Sequence, residues 1–319
     1  MKSSSQLFPV SLLRADALGE LTEDVYLIKH NRDEDKSVQI AVSHLGSEQS
    51  SAGGLPVILL HGSFSNRGFW LSAKGEGLAR YLLEQGFDVW LMEMRGHGLS
   101  PRNQDYLNNT VERSVLHDLP AVTEFVSEQS GQKPVWIGHS LGGVAISSAV
   151  AGGFLDDTNC AGFILFGTQA LRRMRYQWLP LAGPVMRMVV RSRGEVDGQR
   201  MSIGPENEPA GVINEYLRRN SWFGSWQLRS QGRRLLPSWK AFHRLPLLAV
   251  IAAADRSDPA RYCQKFAALY GGDKKEQILL ARAKGFSRDY GHVDMVVSKE
   301  AAAEVWPQVA DWLTAVQSR

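Results

Sequence analysis

Short apolar runs alternate with amphipathic stretches along most of the chain, which predicts a layered α/β arrangement. DVYLIKH (24–30) and SVQIAVSHL (37–45) predict a leading antiparallel pair joined by the charged turn NRDEDK. LPVILLHGS (55–63) is an apolar run ending in a turn. EGLARYLLEQG (76–86) has helical spacing, with Leu78, Tyr81, Leu82 and Gln85 on one side and Gly86 as the stop. FDVWLMEMRGHG (87–98) is a strand running into a glycine-rich turn, and 111–131 is a long amphipathic helix that Pro120 kinks. KPVWIGHS, AGFILFGT (161–168), LPLLAVIAAAD (245–255) and EQILLARA (276–283) are further strands. Helices are expected at LGGVAISSAVAGG, near 257–270 and over about 299–317. Nearly continuous apolar strands separated by helices imply a mostly parallel sheet covered on both faces.

Residues 170–240 break this rhythm. They lack clear strands and carry Pro180, Pro184, Pro205, Pro209 and Pro237, so short helices and loops are expected. Over 170–245 there are 13 Arg and one Lys against 5 acidic residues, a local charge of +9 inside a chain whose total is +3. Trp178, Trp222, Trp226 and Trp239 also fall here. A basic, aromatic insertion between two core strands predicts a cap (170–240) over a core made of 1–169 and 241–319. Such a cap can hold an anionic group or bring the chain to an anionic membrane surface. It can equally be a solvated basic face with its tryptophans packed on the core.

Composition narrows the setting. Hydrophobic residues at 44% and charged residues at 22% suit a soluble globular protein, and +3 is too small to imply a nucleic-acid partner. Cys160 and Cys263 lie far apart and read as buried free thiols. The opening MKSSSQLFPVSLLRADALGE has one lysine, an apolar stretch broken by Pro9 and no clear small-residue cleavage site. No apolar run is long enough to cross a bilayer. A cytoplasmic location is expected.

The candidate chemistry begins at GHSLG (138–142), which fits the G-x-S-x-G pattern of a nucleophile elbow between an apolar strand and a small-residue helix. Gly138 and Gly142 make the sharp turn sterically possible. The turn can start the helix, as a capping serine would, and also expose Ser140 while aiming the Leu141 amide at a developing oxyanion. A serine hydroxyl needs a base. His139 is adjacent in sequence and cannot approach Oγ easily. His30, His44, His117 and His243 read as solvated or structural, and His97 as a support for its turn. His292, in RDYGHVDM between the last strand and last helix, stands where the order Ser…Asp…His puts the base. Asp255 closes the strand LLAVIAAAD and is assigned to orient His292, while Asp258 in SDP is assigned to cap the next helix. In HGSFSNRGFW (61–70), Ser63 is the choice for a second oxyanion amide, with Phe64 and His139 lining the substrate pocket.

Taken together, LLHGSF, VWLMEMRGHGLSPR, WIGHSLGG, VIAAADRSDP and YGHVDM resemble the α/β-hydrolase superfamily over most of the chain. DVWLMEMRGHGLS looks most like the acid-lipase branch, with some likeness to polyhydroxyalkanoate synthases. The resemblance implies an eight-stranded core, a cap after the sixth strand, and acyl transfer without cofactor or metal. It carries over Ser140, Asp255 and His292 as the triad, with Ser63 and Leu141 as oxyanion donors. A synthase would have cysteine, and a dehalogenase or epoxide hydrolase aspartate, where this chain has Ser140. Glu93 stands where many members have aspartate, and secreted acid lipases begin with a signal peptide that is not evident here. The expected substrate is a small or lipid-like carboxylic ester. A thioesterase, a C–C bond hydrolase and a non-catalytic binding protein of the same fold are the alternatives.

Overall fold

The computed structural model describes residues 5–47, 53–173, 181–221 and 224–318. Nine strands form its main sheet: β1 (Val10–Leu18), β2 (Leu21–Ile28), β3 (Ile40–Ser47), β4 (Pro56–Leu60), β5 (Asp88–Met92), β6 (Val135–His139), β7 (Gly162–Phe166), β8 (Leu247–Ala252) and β9 (Lys275–Leu280). Their order is β1-β2-β3-β5-β4-β6-β7-β8-β9. The first three strands and β5 pair antiparallel, and from β5 to β9 every pair is parallel. The chain leaves β4 toward β5 on one side and continues from β5 to β6 on the other. The order therefore reverses around β4, and in open α/β sheets ligands bind beyond the carboxyl ends of the strands at such a switch point.

Every residue of β4, β6 and β7 is buried, and the period of two still sorts them. Ile58, Leu60, Trp136 and Leu165 pack with α2 (Leu119–Ser130) and α3 (Leu141–Gly152) on one face. Val57, Leu59, Ile137 and Phe166 pack with α1 (Leu78–Glu84) and the C-terminal helix (Trp306–Gln317) on the other. Such two-sided burial is what parallel strands flanked by crossover helices require.

The sheet has nine strands instead of the eight expected, because β1 was not foreseen. VSLLRADAL lacks a clean alternation, and its pairing with β2 is interrupted by a bulge between Leu12 and Arg14. As an edge strand it leaves Leu12 and Leu13 40% and 48% exposed, so no apolar face marks it. The 111–131 helix is also broken up. A turn of π-helix, Ser114–Asp118, separates Val111–Arg113 from α2, and this puts Pro120 in the first turn of α2, where its missing N–H costs nothing. The last helix is likewise split, into Lys299–Glu304 and Trp306–Gln317.

The insertion between β7 and β8 follows the seventh strand in chain order, because β1 adds one. It contains α4 (Ala182–Arg193), α5 (Ala210–Arg219) and α6 (Leu235–Lys240), with two hairpins of two-residue strands. Trp226 and Trp239 are buried on the core, their indole N–H groups donating to Ser148 Oγ and to the carbonyl of Phe266. Trp178 and Trp222 lie outside the described residues. Cys160 and Cys263 are free and buried. Among the described residues no helix is long and apolar enough to cross a membrane.

Candidate active site

Ser140 follows β6 directly, and its backbone takes φ 52°, ψ −115°. This is the conformation of the first central residue of a type II′ turn, which an L-residue adopts only under strain. Two hydrogen bonds hold it there. Its N–H donates to the carbonyl of Phe166 at 2.9 Å, extending the β6–β7 ladder, and its own carbonyl accepts from Val144 N–H at 3.0 Å to begin α3. The turn also needs the glycines. A Cβ on Gly138 would lie 2.7 Å from Gly143 Cα, and one on Gly142 would lie 2.4 Å from the carbonyl oxygen of His61. The side chain of Ser140 makes no capping bond to α3. The hydroxyl is thus exposed by the turn but does not cap the helix.

His292 lies in the loop that follows β9, and Asp255 in the turn that follows β8. His292 Nδ1 donates to Asp255 Oδ2 at 2.7 Å, and the Asp255 side chain is fully buried. Donation from Nδ1 fixes the tautomer and leaves Nε2 as the free basic nitrogen. Burial would lower the His292 pKa, but the Asp255 hydrogen bond and charge, aided by Asp258, raise it above the usual imidazole value. Gly167, just past β7 with φ 51°, lies beneath the pair. A Cβ there would fall 3.1 Å from both Asp255 Oδ2 and His292 Nδ1.

His139 is 4% exposed, and its ring lies between Phe69 (centroids 4.4 Å apart) and His292 (4.5 Å). Its Nε2 donates to the carbonyl of His292 at 2.9 Å, so it supports the loop that carries His292. Burial, then the nearby His292, lowers its pKa to about 3, and burial with His97 nearby does the same for His61. Neither is a base near neutral pH.

The His-Gly turn after β4 packs against the elbow: a Cβ on Gly62 would lie 3.2 Å from Ser140 Cβ. In that turn the Phe64 amide donates to Glu208 Oε1 at 2.8 Å. Ser63, expected to supply the second oxyanion amide, follows Gly62 in this turn, and Leu141 opens α3 directly after Ser140. Phe64 has φ 56° and is overlaid by the insertion. Its carbonyl accepts from Glu206 N–H at 3.1 Å, and Asn66 Nδ2 donates to Glu206 Oε1 at 2.6 Å.

Asp258 has a different place from the one expected. The helix it was assigned to cap begins at Ala260, and its N-cap position belongs to Pro259. The Asp258 N–H instead donates to Asp255 Oδ1 at 2.8 Å, folding the DRSD turn so that the second carboxyl faces Ser140 Oγ at 3.5 Å. Gln169 Nε2 donates to its other oxygen at 2.6 Å. Burial raises the Asp258 pKa, against the lowering influence of Gln169 and His292. The DxxD spacing was the available signal, since three residues put both carboxyls at one strand end.

A buried ion network braces the RGHG turn. Arg95 donates through Nε and NH2 to both oxygens of Asp118, at 2.6 and 2.7 Å, and through NH1 to Asp33. His30 Nε2 completes it with a 2.9 Å bond to Asp118 Oδ1. His97 Nε2 lies 3.4 Å from Glu208 Oε1, and burial alone would lower its pKa, but Glu208 raises it. His97 is therefore tied to the insertion as well as to its own turn.

The model of the alpha/beta hydrolase family matches residues 57–305, and the chain belongs to that family. A tear acid lipase-like protein of Mesocricetus auratus is 32% identical over 132 residues, which are 38% of this chain and 31% of that protein. Human gastric triacylglycerol lipase is 31% identical over 132 residues, with the same coverage of 38% and 31%. The aligned stretch thus spans about a third of the curated relatives it matches. Among solved structures, Paleococcus ferrophilus monoacylglycerol lipase superposes with a TM-score of 0.57 at 15% identity. It covers 88% of this chain and 99% of its own. A putative aryl esterase from Burkholderia cenocepacia gives 0.54 at 21% identity, covering 88% and 96%. These likenesses extend the fold assignment to nearly the whole chain.

Proposed function

We propose that the protein is a serine hydrolase of carboxylic esters. The observation that carries this reading is the strained Ser140 at the end of β6, with the His292–Asp255 pair beyond the ends of β9 and β8. In acylation the Ser140 hydroxyl turns from Asp258 to His292 and gives its proton to Nε2 as Oγ bonds to the ester carbonyl. The carbonyl electrons move onto oxygen, facing the Ser63 and Leu141 amides. The tetrahedral adduct then collapses, and the alcohol leaves with the proton from His292. Water repeats the sequence, with His292 as base, and frees the acid. Asp255 keeps the imidazole oriented and stabilises its charged form. Asp258 adds a second carboxyl on the side of the hydroxyl.

The lipases among the relatives support an acyl ester as substrate. Residues 170–240 are proposed as a cap over a core of 1–169 and 241–319, supported by the bonds of Glu206 and Glu208 to the oxyanion loop. The two buried free thiols favour a reducing, cytoplasmic setting. The test is turnover of 4-nitrophenyl esters together with labelling by a fluorophosphonate. Wild type should hydrolyse and label, and Ser140→Ala should lose at least about 10³-fold in rate and all labelling. Equal rates in the two proteins would overturn the proposal.

A further inference from the structure

A cavity of about 190 Å³ lies beside the nucleophile helix, lined among others by Val115, Val144, Ser148, Glu215, Arg218 and Arg219. Val144 and Ser148 stand four and eight residues after Ser140 on α3, about 6 and 12 Å along the helix axis at its usual rise. The cavity wall also approaches the site electrostatically. Arg219 acts on Asp258, whose carboxyl is 3.5 Å from Ser140 Oγ.

The charges around this cavity are unbalanced. The Nε atoms of Arg218 and Arg219 are buried without a hydrogen-bond partner among the described residues. Burial and then the nearby Arg229 lower the Arg218 pKa, with Arg187 and Arg191 adding to them and Glu215 acting against them. Burial lowers that of Arg219 as well, with Glu215 the first group to oppose it. Burial pushes the Glu215 pKa up, against the lowering influence of Arg219 and of the Glu112 N–H, which donates to its Oε2 at 3.3 Å. The other carboxyl in the wall, Glu112, accepts from Ser230 N–H and Oγ at 2.7 and 2.6 Å. The helix dipole favours arginines at this end of α5, and Arg219 lies over the Tyr216 ring, its guanidinium carbon 5.5 Å from the centroid, but neither supplies an acceptor for the two buried Nε atoms beside the cavity. Crowded, desolvated guanidinium groups are the arrangement that binds a carboxylate or phosphate.

We infer that this cavity is an anion-binding subsite, and that the substrate is an ester carrying a carboxylate or phosphate roughly 6–12 Å from the scissile carbonyl. Arg218 and Arg219 hold the anion from the end of α5, with Arg229 at the mouth. The inference rests on the hydrolase reading for the word substrate, but not for the binding itself.

Calorimetric titration with suberate and with inorganic pyrophosphate tests it. At least one of these anions should bind the wild-type protein, and which one does so separates a carboxylate from a phosphate ligand. Affinity should fall at least tenfold in Arg219→Met and in Arg218→Met, and about threefold in Arg229→Met, whose exposed side chain makes unfolding of that variant no concern. In the wild type, mono-4-nitrophenyl suberate should show a KM at least tenfold below that of 4-nitrophenyl octanoate if a carboxylate is the ligand. Binding of neither anion, or binding undiminished in all three variants, would overturn the subsite. Anion binding by a protein whose Ser140 takes no fluorophosphonate would keep the subsite and reject the hydrolase reading.

Discussion

The strain at Ser140 can be measured apart from any catalysis. At φ 52°, ψ −115° a side chain costs on the order of 1–3 kcal/mol that glycine avoids. Glycine in turn loses about 0.5–1 kcal/mol more backbone entropy on folding than alanine does. Ser140→Gly should therefore be about 0.5–2 kcal/mol more stable than Ser140→Ala. Both variants lack the hydroxyl, so their difference isolates the backbone. Ser148, two turns along the same helix, is the control. It sits in the helix interior, where glycine is worse than alanine by roughly 1 kcal/mol, so the sign should reverse. Equilibrium urea unfolding of the four variants, followed by tryptophan fluorescence, gives both differences. A Ser140→Gly protein no more stable than Ser140→Ala would refute the claim that the elbow stores backbone strain.

Further outcomes follow from the surroundings of Ser140, His292 and Asp255. Because Asp255 and Asp258 hold the His292 pKa above its usual value, kcat/KM should fall as pH drops through that raised value and the base becomes protonated. Removing one negative neighbour in Asp258→Asn should move this acid limb to lower pH, and a limb that stays put would show that the second carboxyl has no hold on the base. Gly167→Ala puts a methyl 2.6 Å from Met295 Cε and 3.1 Å from the His292–Asp255 bond. Ester turnover should drop on the order of 10²-fold and stability by about 2–4 kcal/mol, read by kinetics and urea unfolding. Burial would raise the Asp118 pKa, yet Arg95 and His30 hold it far below the carboxylate range. Its contribution to stability is therefore present above about pH 3.9 and lost as pH falls through the folded value. Asp118→Asn should cost about 3–5 kcal/mol near neutral pH and flatten the acid limb of the stability curve, measured by urea unfolding across pH.

How much of this was legible in the sequence depended on the range of the interaction. The central strands declared themselves because burial on both faces makes them uniformly apolar, and GHSLG declared its turn because glycine is needed on both sides of the serine. β1 was hidden, since an edge strand with a bulge need not keep an apolar face. Asp258 was misplaced because the local rule, an acid before proline at a helix start, competes with a contact made 118 residues away at Ser140. Gly167 and the Glu208 tie to Phe64 depend on chain crossings that no local pattern records. Arg218 and Arg219, whose buried Nε atoms lack an acceptor among the described residues, were visible only as part of a general excess of positive charge over 170–245.

The hydrogen bond from Phe64 N–H to Glu208 joins residues 144 positions apart. During synthesis the loop after β4 leaves the ribosome long before its acceptor exists, as does the elbow that it packs against. A nascent chain can therefore contain Ser140, Gly62 and Leu141 while the Phe64 amide still lacks its acceptor. A shortened chain ending before Glu208 lacks not only that acceptor but also β8, β9, Asp255 and His292, so neither the sheet nor the site is complete until the chain beyond the insertion has followed.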